Sequence, residues 1–310
     1  MVEEKVIIKV TNLRKKYGEL EAVKGISFTV KKGELFAFLG TNGAGKSTTI
    51  DILCTLLKKT SGEVLIADYT LGEGNGNNYI REKIGVVFQE SVLDERLTVY
   101  ENIINRGQYY SLSKNEMKEN YHFVSEYLNL FDIKDKKYGA LSGGQKRRAD
   151  IARAIIHKPS ILFLDEPTTG LDPQTRLFVW NAIKRLQEET NMTIFLTTHY
   201  MEEAVVADNV VVIKEGRLIA EGTPSQLKDK HAFDSLHLLF KDTFNPDSWL
   251  REKHLSYTVK NSTYIMRLTS TLDAYDLLKE LEGEIESFEV IKGTMDDVFI
   301  NIIEKGSTAQ

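Results

Sequence analysis

The chain has 310 residues, 42% of them hydrophobic and 27% charged, with a formal net charge of −5. That length holds one large domain or two ordinary ones, and the mildly acidic balance leaves no global footprint for nucleic acid or an anionic membrane. The one cysteine, Cys54, excludes an internal disulfide, and no run of about 18 apolar residues is present to span a bilayer.

Met1-Val2-Glu3-Glu4-Lys5 lacks the basic-then-apolar pattern of a secretion signal, so the chain reads as soluble and cytoplasmic. Val6–Val10 and Ile26–Val30 are expected as strands, with a turn at Tyr17-Gly18-Glu19 between them. Leu35–Leu39 is a fully apolar strand. It runs into Gly40-Thr41-Asn42-Gly43-Ala44-Gly45-Lys46-Ser47-Thr48, and a helix follows from Ser47 through Leu56. Strand, glycine-rich turn and helix in that order make a phosphate cradle: glycines let the backbone wrap oxygens, and successive N–H groups form an anion nest at the helix N-terminus. Lys46 would reach the β- and γ-phosphates and the Ser47 hydroxyl would ligate Mg²⁺. Cys54, on this helix, reads as a small buried apolar side chain.

Gly62–Ala67 predicts a short strand, Leu71–Asn78 an exposed loop, and Ile84–Phe88 a buried strand ending at Gln89. From Thr98 to Ile133 helical spacing takes over, with a capping box at Ser113 and Glu116 ahead of a helix through Leu130. Leu141-Ser142-Gly143-Gly144-Gln145 opens a helix toward His157, and its glycines after a serine make a second anion site. Two copies of the chain, head to tail, would use each cradle once per ATP. Lys146-Arg147-Arg148 reads as a solvated helix face. Ser160–Leu164 is a buried strand ending in Asp165-Glu166-Pro167, which places two carboxylates at the carboxyl edge of a parallel sheet, where ligands bind. Asp165 would hold Mg²⁺ and Glu166 would polarise an attacking water. Asp172-Pro173 is an N-cap and N1 pair starting a helix to about Glu188. Met192–Thr198 is a strand ending at His199, and Asn209–Ile213 and Arg217–Ala220 form a hairpin across Glu215-Gly216.

After Gly222 the pattern becomes βαββαβ, which predicts a small ferredoxin-like α+β domain over 223–310 behind an α/β domain over 1–222, the latter with a helical insertion at about 90–158. The combination over residues 5 to 222 resembles the nucleotide-binding subunit of ATP-binding cassette (ABC) transporters. GTNGAGKST is similar to the Walker A motif, ILFLDEP to Walker B and LSGGQ to the family signature. The resemblance implies a P-loop ATPase core with an antiparallel β subdomain. It also implies roles for four more residues: Tyr17 stacking on adenine, Gln89 sensing Mg²⁺ or water and the transmembrane partner, Asp172 speaking across a dimer, and His199 contacting the γ-phosphate. QESVLDERLTVYENI, LSGGQKRR, LTTHYMEEA and the closing GTMDDVFINIIEKG are similar to daunorubicin-type drug and antibiotic exporters. The implied function is ATP hydrolysis driving export through a separate permease, as a homodimer or heterodimer at the inner face of the membrane and without nucleic acid. The rivals are a soluble ABC ATPase acting on DNA or ribosomes, and a module that binds ATP without hydrolysing it; single motif copies without heptads oppose the first, and Glu166 with His199 the second.

Overall fold

Strands β1 (Val6–Tyr17) and β2 (Leu20–Lys31) pair antiparallel as a hairpin closed at Gly18-Glu19. Both are longer than Val6–Val10 and Ile26–Val30 suggested. A bulge at Asn12, with φ of +49°, keeps Leu13 on the buried side beyond the apolar run. With β4 (Ser61–Ile66) and β5 (Tyr69–Thr70) they make a four-stranded antiparallel sheet in the order β2-β1-β4-β5.

A six-stranded sheet is built around β3 (Leu35–Gly40), every residue of which is buried. It adds β6 (Ile84–Val87), β7 (Ile161–Asp165), β8 (Thr193–Thr198), β9 (Asn209–Lys214) and β10 (Arg217–Gly222) in the order β10-β9-β3-β8-β7-β6. Pairing from β9 through β6 is parallel, which brings the carboxyl ends of β3, β7 and β8 together at one edge. Phe28 of β2, Phe36 and Phe38 of β3, Phe163 of β7 and Phe195 of β8 join both sheets in one core, their ring centroids 5.3–6.1 Å apart. Such offset and tilted contacts add to the area these rings bury.

Helix α1 (Lys46–Leu53) follows β3 after the five-residue loop Thr41–Gly45. The glycine- and asparagine-rich stretch after Leu71 is not the exposed loop its composition suggests. Leu71 is buried, and α2 (Gly76–Lys83) begins inside the stretch because Ile80 has a core position to fill. The helical insertion comprises α3 (Val99–Gln108), α4 (Lys114–Leu128) and α5 (Gly143–Ile155). The Ser113–Glu116 capping box forms at the start of α4, and Asn129 ends that helix in the left-handed conformation. Helix α6 (Pro173–Thr190) starts from the Asp172 cap and Pro173, and α7 (Met201–Ala204) follows β8.

The computed structural model describes residues 5–268 and 270–305, and the chain divides into two units, Met1–Glu221 and Gly222–Gln310. The second unit opens with α8 (Pro224–His231). It continues β11 (Asp234–Phe240), α9 (Pro246–Glu252), β12 (Tyr257–Lys260), β13 (Thr263–Leu268), α10 (Thr271–Glu280), β14 (Ile285–Ile291) and α11 (Met295–Lys305). Its sheet has the antiparallel order β12-β13-β11-β14, the split βαβ arrangement expected from the sequence. Leu236, Leu238, Leu250, Met266 and Leu281 form its own core.

Candidate functional site

The loop from Gly40 to Gly45 owes its path to close backbone approach. Gly45 has φ of +107°, and a Cβ there would stand 2.7 Å from the Ala22 carbonyl of β2. Gly216, at the β9–β10 turn, donates its N–H to the Ala44 carbonyl (2.9 Å), and the Gly216 carbonyl accepts from the Lys24 N–H (2.8 Å). The cradle is thus held from both sides by strands of the two sheets. Its concave side is a cavity of about 330 Å³ lined by Asn42, Gly43, Gly45, Lys46, Ser47, Thr48, Gln89 and Glu166, together with Ala22, which sequence reading missed. Thr41 contributes its carbonyl to the Lys46 ammonium, and the Ala44 methyl belongs to the core instead of the cavity.

The Lys46 ammonium is 4% exposed; it donates to the carbonyls of Gly40 (2.9 Å) and Thr41 (3.2 Å) and lies 3.6 Å from Glu166 Oε1. Burial pushes its pKa down, and the Glu166 charge opposes that. His199 Nδ1 stands 3.1 Å from the same oxygen. Glu166 is therefore close both to a cation and to the imidazole that follows β8. Asp165, the last residue of β7, accepts a hydrogen bond from the Thr197 hydroxyl, and burial raises its carboxyl pKa. Glu203, a buried acid that sequence patterning gave no reason to single out, accepts the hydroxyls of Thr168 and Thr198, which flank Glu166 and His199. Oxygen donors on Ser47 and Gln89 at the cavity and on Asp165 at the strand edge are a hard-ligand set suited to Mg²⁺, which takes one or two carboxylates together with substrate phosphates.

The reading of Lys146-Arg147-Arg148 as a solvated face fails at Arg147. That side chain is 6% exposed and donates to the carbonyls of Phe88 (2.6 Å), Glu166 (3.1 Å), Asp165 (3.2 Å) and Pro167 (2.5 Å). Arg147 shares a face with the buried Ile151 and Ala154, and the four carbonyls are what draw its guanidinium inward. Lys146 instead pairs with Glu95 at 3.6 Å, and Arg148 donates to the Asn129 carbonyl at 2.8 Å.

Ser142 caps α5 in a reciprocal box: the Gln145 N–H donates to Ser142 Oγ (3.4 Å), and the Ser142 N–H donates to Gln145 Oε1 (3.1 Å). Ser142, Gly144 and Gln145 line a second cavity of about 210 Å³ with Gln174 and Thr175 of α6, and Gly143 opens the helix beside them. Asp172 accepts from the Thr175 N–H and hydroxyl at 3.0 and 2.6 Å, which lowers its carboxyl pKa. The two cavities share no lining residue: Lys46 and Glu166 line the first, and Ser142, Gly144 and Gln145 the second. Tyr17, at the end of β1, is 47% exposed with the Lys15 ammonium 4.8 Å from its ring centre.

A glycine-rich cradle opening α1, a buried lysine and paired acids at the edge of a parallel sheet define a P-loop nucleotide-binding protein. Comparison with known proteins narrows this class. Residues 23–169 match the ABC transporter family, and residues 222–303 match the C-terminal domain of ATP-binding proteins of the DrrA1-3-like type. The daunorubicin/doxorubicin resistance ATP-binding protein DrrA of Streptomyces peucetius is 34% identical over 303 residues, 94% of this chain and 91% of that one. A Nod factor export ATP-binding protein I of Rhizobium sp. (strain N33) is 41% identical over 230 residues, 73% of this chain and 74% of that one. Among solved structures, the dimeric post-hydrolysis state of the ATP-binding cassette MJ0796, bound to ADP and Pi, superposes with a TM-score of 0.64 at 31% identity, covering 70% of this chain and 98% of that one. The chain belongs to the ABC transporter family, as an ATP-binding and ATP-hydrolysing subunit with a DrrA-like C-terminal domain.

Proposed function

We propose that two such subunits sandwich ATP and Mg²⁺ head to tail, and that the resulting motion drives export through a separate membrane permease. The pair of cavities carries this reading: the Lys46 cradle and the Ser142–Gln145 helix start both have the build of anion sites, yet they line separate cavities with no residue in common. A second subunit supplies the missing half. Support for export comes from the drug-resistance and Nod factor export relatives. Among the described residues no helix is long and apolar enough to cross a membrane, which fits a subunit attached through its permease.

In this account Lys46 exchanges the Glu166 carboxylate for β- and γ-phosphate oxygens, and Glu166 is freed to accept a proton from the attacking water. Ser47, Gln89 and Asp165 would hold Mg²⁺, whose charge would offset that of the phosphates. His199 donates to the γ-phosphate, Thr41–Thr48 cradle the phosphates through backbone N–H groups, and Tyr17 stacks on the base. Asp172 and Ser142–Gln145 act across the dimer. Loss of the γ-phosphate removes contacts to both halves, and the dimer reopens.

Glu166→Gln tests the chemical step. General-base removal typically costs about 10²- to 10⁴-fold in rate, so phosphate release should fall by that range while ATP binding persists. Hydrolysis at the unmodified rate would show that Glu166 is not the base.

A further inference from the structure

Glu166 combines two features that conflict locally. Its backbone φ is +44°, a left-handed conformation that costs a residue with a side chain, and Pro167 follows it, restricting it further. Such conformations persist only where surrounding structure over-determines them. One restraint is the Glu166 N–H, which donates to the Thr197 carbonyl at 3.1 Å. The Thr169 N–H donates to the Glu166 carbonyl at 3.4 Å, and Arg147 adds further restraints, with Nη2 on the carbonyls of Asp165 and Glu166 and Nε on that of Pro167. Three consecutive carbonyls around the candidate base are thus held by one guanidinium. The same group holds Phe88, the residue before Gln89, through Nη1. Four of its five N–H donors are engaged outside its own helix, an arrangement that a planar fork can make and the single nitrogen of a lysine cannot.

Arg147 lies only two residues past Gln145, on the helix that Ser142 caps. One turn on, Asp150 accepts from the Ser91 hydroxyl at 2.6 Å, so α5 grips the segment around Gln89 from both sides. We propose that Arg147 is a positioning residue that couples the two half-sites of one chain. When Ser142–Gln145 closes on a nucleotide held by the partner subunit, the shift of α5 passes through the guanidinium to Glu166 and Gln89 in the chain's own cavity. This rests on the head-to-tail reading above. It adds that each subunit senses the partner's ATP through a rigid contact inside itself.

The test uses the full-length chain, Arg147→Lys and Arg147→Gln, with Glu166→Gln introduced into each for the dimer assay. ATP affinity is read with a fluorescent ATP analogue, turnover by phosphate release against ATP concentration, fold by thermal melting, and assembly by light scattering. Inter-site coupling is typically worth about 5- to 150-fold. Both variants should lose turnover within that range, while affinity for the analogue stays at the parent value. Arg147→Gln, which retains a planar donor pair, should lose less than Arg147→Lys. Unchanged turnover, or a loss of affinity and turnover that merely follows a lowered melting temperature, would reduce Arg147 to a structural strut. If Glu166→Gln alone forms no ATP-dependent dimer, the sandwich itself fails and takes the coupling with it.

Discussion

Gly45→Ala probes whether the cradle is built by backbone approach. At Gly45 the added methyl meets the Ala22 carbonyl at 2.7 Å, a separation real Cβ atoms essentially never show, so the loop or β2 must move by about 0.3 Å. Left-handed backbone costs a non-glycine residue about 1–2 kcal/mol, and overpacking against immobile backbone adds about 1–3 kcal/mol. Gly43 is the internal control: its φ is +79°, but nothing lies within 4 Å of its built Cβ. Gly43→Ala should therefore carry only the first cost. For a domain of this size about 1 kcal/mol shifts the melting temperature by 2–4 °C. Scanning calorimetry without nucleotide should show a fall of about 2–8 °C for Gly43→Ala and about 4–20 °C for Gly45→Ala. Equal shifts for the two variants would refute the argument, because the contact with Ala22 would then cost nothing.

Two further outcomes follow from buried groups. Lys46→Met keeps the aliphatic stem and removes the ammonium; charge-assisted bonds are worth about 1.5–3 kcal/mol each, so ATP affinity by calorimetry should fall about 10- to 150-fold per bond lost, and far less for AMP. His157 stacks on Tyr110 with ring centroids 3.6 Å apart, and its Nε2 is 3.1 Å from the Ile84 carbonyl; burial pushes its pKa from 6.5 down to about 4. The native state thus refuses a proton that the unfolded chain binds. Its contribution is complete above pH 6.5 and declines by about 1.4 kcal/mol per unit as pH falls toward 4. His157→Phe should flatten the denaturation midpoint across that window, and an unchanged slope would place the acid sensitivity elsewhere.

The segments that carry chemistry were legible because their constraints are local. Leu35–Leu39, the glycines before Lys46, and Ile161–Leu164 ahead of Asp165 each combine a buried strand with a turn of demanding geometry. The Asp172 cap and the Ser142–Gln145 helix start were readable for the same reason: capping chemistry is written within four residues. What could not be read was set by tertiary packing. The strand beyond Val10 is encoded by a bulge at Asn12 that composition hides, and α2 forms from a polar stretch because Ile80 finds a core. Arg147 was hidden by its neighbours. In a run of three basic residues, charge does not say which side chain turns inward, and helical register does not either, because Arg148 stands over buried Ala152 and Ile155 just as Arg147 stands over Ile151 and Ala154.

The most direct test of the account is the mass of the Glu166→Gln chain in solution with and without ATP. A chain of 35.2 kDa should double its mass by light scattering when ATP and Mg²⁺ are added, and revert when nucleotide is removed. Adding Ser142→Arg, which fills the second anion site, should abolish the doubling while the Lys46 cradle still binds ATP. A chain that binds ATP yet stays at the same mass would contradict the composite site.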